Sequence, residues 1–134
     1  MGKMTKNTLR GILDKTIPTR LDDDGDFVTI LPKNENFGHD VLVFFVLNED
    51  GDKFQMLAGS NLKVDDEPKA LVFCNKWNTE KSFGQAFFKD GAFHMTFTLS
   101  EPADVSNDYL IDFIKLNLAV ALQFYSEAGQ EFDL

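Results

Sequence analysis

The run Val41–Leu47 constrains this chain most. Its seven residues are apolar on both parities, with Val41, Val43, Phe45 and Leu47 alternating against Leu42, Phe44 and Val46. Successive side chains of a strand point to opposite faces, so a half-solvated strand alternates apolar with polar. The run is therefore expected as a central strand covered on both faces. Turn signals isolate it. Phe27–Leu31 precedes it across Pro32–Gly38, and Lys53–Ala58 follows across Asn48-Glu49-Asp50-Gly51, where glycine supplies positive φ for a hairpin.

Flanking segments show the other periodicity. Leu9, Ile12, Leu13 and Thr16 recur at three and four, which predicts a helix over 5–16 stopped by Pro18. Residues 66–77 predict a second helix, capped by Asp65 or Asp66 and carrying a stripe of Ala70, Leu71, Phe73, Cys74 and Trp77. Gln85–Lys89 and Ala92–Leu99 form a hairpin across Asp90-Gly91. Asp104 or Ser106 opens a long helix over about 105–127, with a narrow polar stripe and Gly129 as its stop. So wide an apolar arc is expected to be buried on more than one side. The order α-β-β-β-α-β-β-α predicts an α+β fold with a mostly antiparallel sheet, as one domain over 1–134.

Charge narrows the partners. Residues 1–20 hold five bases and one acid, whereas residues 21–134 hold 8 bases and 21 acids and carry −13. Such a body repels phosphates, so nucleic acid is not expected as a partner. The basic first segment is expected to dock in cis on its own acidic domain. No apolar run reaches the roughly 20 residues of a membrane span, and no signal-peptide core is visible. One cysteine, Cys74, gives no intramolecular disulfide framework, and a reducing, cytoplasmic setting is expected. The 14 phenylalanines are more than a small core easily hides, which directs some to an interface or groove.

Motifs for chemistry are sparse. Aligned on Gly25 or Gly51, the acidic loops lack EF-hand ligands at the first and twelfth positions, so they read as acidic turns. His39 and His94 lie far apart and read as surface histidines. Ala58-Gly59-Ser60-Asn61-Leu62 lacks the second glycine of a nucleophile elbow. Cys74 falls on an apolar helix stripe, where a thiolate is disfavoured. No catalytic residue, metal ligand or cofactor is expected. A metal-dependent hydrolase using the acidic loops, or an apolar small-ligand binder, stands as the alternative.

Cys74-Asn75-Lys76-Trp77-Asn78, followed by Phe87-Phe88-Lys89-Asp90-Gly91, resembles the centre of the bacterial YbjN-like family, over about residues 9–127. Members are known as sensory transduction regulators and are related in fold to type III secretion chaperones. The resemblance implies that fold and, commonly, a homodimer. Read from the residues, Asn75 and Asn78 sit at helical spacing. They are expected to satisfy helix-end carbonyls and fix the path into the next strand, with Trp77 between them. The expectation is a non-enzymatic, homodimeric protein-binding module, chaperone-like or regulatory, whose partner is an unidentified protein or extended peptide segment. Phe44, Val46, Tyr109, Phe113 and Phe124 are the candidate partner or dimer surface.

Overall fold

The computed structural model describes residues 3–81 and 83–134. Helix α1 (Lys6–Asp14) leads into β1 (Arg20–Leu21), β2 (Phe27–Leu31), β3 (Val41–Leu47) and β4 (Lys53–Gly59). Helix α2 (Glu67–Glu80), the hairpin β5 (Gln85–Lys89) and β6 (Ala92–Ser100), a 3-10 turn (Pro102–Asp104) and α3 (Asn107–Glu131) complete the order. The fold is α+β, as the sequence order predicts, with a two-residue strand added before the meander. All six strands join one antiparallel sheet in the order β1-β2-β3-β4-β6-β5.

Local chemistry sets the helix boundaries. The Thr5 hydroxyl accepts the Thr8 N–H at 3.2 Å, Asp66 accepts that of Lys69 at 3.2 Å, and Ser106 accepts that of Tyr109 at 3.1 Å. Each cap satisfies a donor the first turn leaves orphaned. Both residues of the Asp90-Gly91 turn have positive φ, 53° and 80°, which matches the right-handed twist of the hairpin.

Gly129 does not stop α3, which runs on to Glu131. It is buried, and a Cβ there would collide with the Asn36 carbonyl oxygen. This glycine exists for close approach between the helix and the loop before β3.

The core lies on one face of the sheet. Phe27, Val43, Phe45, Phe54, Met56, Met95 and Phe97 are buried there with Leu9, Ile12 and Leu13 of α1 and Leu110, Ile114 and Ala121 of α3. Phe124, expected on a partner surface, has 0% exposure. It sits 5.2–5.9 Å, ring to ring, from Phe73, Trp77, Phe93 and Tyr125. Its place on α3, one turn beyond Ala121, turns it inward, so it is core and no docking residue. The Tyr125 hydroxyl donates to the Phe93 carbonyl at 2.8 Å and ties α3 to β6. Burial pushes this phenol well above its ordinary pKa, with the neighbouring Cys74 adding to the shift.

The basic first segment docks in cis. Lys6 Nζ donates to the Gly25 carbonyl at 2.7 Å, and the Arg10 guanidinium lies 5.7 Å from the Phe27 ring centre. In the same acidic turn Asp22 accepts the amides of Asp24 and Asp26 at 3.0 and 2.8 Å. Burial, and then the neighbouring Asp22, raise the Asp26 carboxyl above its ordinary value.

Candidate interaction surfaces

Strand β3 is not covered on both faces. Val41, Val43 and Phe45 are buried under the helices, while Leu42, Phe44 and Val46 are half-buried on the opposite side. The pairing register places them in cross-strand rows. One row is Ile30–Leu42–Gly59–His94–Phe87, the next Val28–Phe44–Leu57–Thr96–Gln85, and the third Val46–Gln55–Thr98. No Asp or Glu stands in these rows, and their one charged residue is Arg20 of β1, at the end of the second row opposite Val28. Ile30 is 44% exposed, and the His94 ring stacks on Phe87 with centroids 5.0 Å apart. Five strand spacings of about 4.8 Å make the sheet about 24 Å wide, and a seven-residue strand is about 20 Å long. The projected area is at most roughly 500 Å², since the edge strands are shorter, against the roughly 800 Å² that each partner buries in a standard interface.

The sheet's edges are less available. Strand β1 has only two residues. At the other edge the Asn78 amide clamps β5: its Nδ2 donates to the Ala86 carbonyl at 2.8 Å, and its Oδ1 accepts the Ala86 N–H at 2.8 Å. A side-chain amide has the donor and acceptor of a peptide unit, so Asn78 occupies the place an added strand would take. Asn78 therefore fixes the path into β5, as expected of the motif, but through the strand rather than through helix-end carbonyls. Asn75 is exposed, and its carbonyl accepts the Thr79 hydroxyl at 2.8 Å. Trp77 is 4% exposed, and its Nε1–H has no partner among the described residues.

Tyr109 and Phe113 belong to a different surface from Phe44 and Val46. With Leu116 and Asn117 of α3 they line a groove of about 480 Å³ against Phe83, Gly84, Gln85, Thr96, Phe97 and Thr98. Tyr109 is 52% exposed there, and the Phe113 ring packs 6.2 Å from that of Phe54. Asn117 was not singled out by sequence reasoning. The available signal was a single amide between Ile114, Leu118 and Ala121 on a buried stripe.

His39 and His94 lie apart, and no group of three or more His, Cys, Asp or Glu side chains able to hold a metal occurs among the described residues. Cys74 is buried, and burial pushes its thiol up to about 11. No helix of the described residues is long and apolar enough to cross a membrane.

Comparison with known proteins gives the class first. A family model described as "Putative bacterial sensory transduction regulator" matches residues 12–130, and the chain belongs to that family, YbjN. Among solved structures the chain is similar to the E. coli protein titled "Crystal structure of YbjN, a putative transcription regulator". The TM-score is 0.72 at 18% identity, covering 93% of this chain and 91% of that one. At that identity the likeness is one of fold. A search of curated proteins finds no significant match.

Proposed function

We propose that this protein is a non-enzymatic regulatory module that binds another protein, acts as a homodimer in the cytoplasm, and works in a chaperone-like manner. The chain forms one domain, and its outer sheet face is the surface on which two copies meet. The family's regulatory description supports the class. The observation that carries the homodimer is the sheet face itself, whose rows centred on Phe44 and Leu57 hold no carboxylate, on a chain of net charge −9. Two acidic bodies repel, so self-association favours a region free of carboxylates. The apolar side chains of Ile30, Leu42, Phe44, Val46 and Leu57 adjoin one another on this face, and an exposed apolar patch of that kind supports an interaction site. The same charge disfavours nucleic acid as the partner.

Sedimentation velocity at micromolar concentration tests the homodimer. The expected mass is twice 15.2 kDa, and Phe44→Glu, which buries two carboxylates against each other in a two-fold interface, is expected to sediment as a folded monomer. A wild-type chain that sediments at the monomer mass refutes the homodimer.

A further inference from the structure

Strand β6 outruns its neighbour. On one side β4 accompanies it as far as Ser100, but on the other β5 begins only at Gln85, opposite Thr96. The direction of the unaccompanied main chain follows from the Asn78 clamp. Because Ala86 turns its N–H and C=O outward to Asn78, Gln85 and Phe87 turn theirs inward, toward Thr96 and His94. Alternation along an antiparallel strand then points the main-chain groups of Thr98 to the same side as those of Thr96. There they face the groove, with no main-chain hydrogen bond from a described residue on that side.

A side-chain amide also lines the groove. Asn117 is 5% exposed, lines the groove, and makes no side-chain hydrogen bond to a described residue. Its residual exposure opens onto the same notch as Thr98. The lining carries no charge, whereas each of four other surface depressions includes at least one lysine. The stretch that leads into α3 and forms its first turns is acidic: residues 101–117 contain Glu101, Asp104, Asp108 and Asp112 against Lys115 alone.

We infer that this notch docks a short extended segment of a partner protein, one with a large apolar side chain between basic flanks. The inference rests on the protein-binding reading above and names the segment's chemistry. Main-chain pairing to Thr98 extends the sheet by a few residues where β5 stops. The apolar side chain enters between Phe83, Tyr109, Phe113 and Leu116, and Asn117 completes its bonds on the segment's main chain. Lysines or arginines on either side meet the acids of the turn before α3 and of its first turns.

The test is selection of a phage-displayed random dodecapeptide library on the immobilised full chain. The expected winners carry an alternating apolar core flanked by Lys or Arg. Methylating alternate amide nitrogens of a winning peptide is expected to abolish binding in one phase and spare it in the other. Asn117→Leu and the surface variant Leu116→Glu are each expected to weaken that peptide at least about 10-fold while remaining folded. Asn117→Leu is also expected to melt higher than wild type, which a structural amide would not allow. A folded chain that enriches no peptide overturns the inference, as do winners that bind both variants undiminished or tolerate methylation in either phase. The outcomes separate from those of the preceding section. A monomer that selects such peptides removes the homodimer and keeps the notch, and a dimer that selects none does the reverse.

Discussion

Removing the Asn78 amide tests whether the family motif is an edge clamp. In Asn78→Ala, Ala86 loses both hydrogen bonds of 2.8 Å. A typical bond contributes about 1 kcal/mol net. Asn78 itself is exposed, so water reaches the vacated groups and the full penalty for orphaned buried atoms does not apply. The expected loss is therefore about 2 kcal/mol. For 134 residues, at about 2.1 cal/mol/K each, the unfolding entropy is about 280 cal/mol/K, and the melting temperature falls by about 7 °C. The single tryptophan, Trp77, is 4% exposed and reports unfolding by fluorescence in urea or on heating. Asn78→Asp sharpens the test. At neutral pH its carboxylate still accepts the Ala86 N–H but faces the Ala86 carbonyl with no proton to donate. Protonation restores the donor, so this variant gains stability relative to wild type as pH falls through the carboxyl range. An Asn78→Ala protein within about 2 °C of wild type would refute the clamp. So would an Asn78→Asp protein whose difference from wild type ignores pH.

Two further outcomes follow from burial. Gly129→Ala sets a methyl against the Asn36 backbone, and overpacking of this kind costs about 1–3 kcal/mol. Helix propensity returns at most about 1 kcal/mol of that, so urea denaturation is expected to show a net loss, whereas Gly11→Ala, in open space on α1, is expected to stabilise. The folded thiol of Cys74 titrates near 11 rather than near its ordinary 9, so above pH 9 the unfolded chain releases its proton first and stability falls through pH 11. Tyr125, shifted the same way, steepens the fall. Denaturation midpoints from pH 8 to 10.5 are expected to decline, and Cys74→Ala to lessen the slope. A thiol reagent at pH 8 is expected to modify Cys74 no faster than the chain unfolds.

The element order was legible because the sequence switches period between 2 and 3.6 at marked turns, and five of the strands lie where the alternation puts them. Less legible was what covers each face. An apolar residue facing a helix and one facing an interface look alike in sequence, so Val43 and Phe44 could not be told apart. On α3 the same ambiguity placed buried Phe124 with exposed Tyr109, because the register against the sheet decides which arc of a wide apolar stripe turns inward. Gly129 read as a stop because the carbonyl it accommodates belongs to Asn36, far away in sequence. The notch escaped notice for a related reason. It arises from unequal neighbours, nine residues of β6 beside five of β5, and only pairing reveals which end overhangs.

The stopped edges also govern how large an assembly this sheet can build. Strands added at an edge leave a fresh edge behind them, so such growth has no natural end and leads to fibres. Here one edge strand is two residues long, the other holds a side-chain amide, and the overhangs of β2 and β6 are short, that of β6 walled by α3. What remains is the broad face, and contact across a face consumes the surface that made it. An association there terminates at two bodies. Under the proposed homodimer, the perimeter of the sheet would thus set the stoichiometry, and crowding the protein would raise occupancy of that one contact without lengthening the assembly.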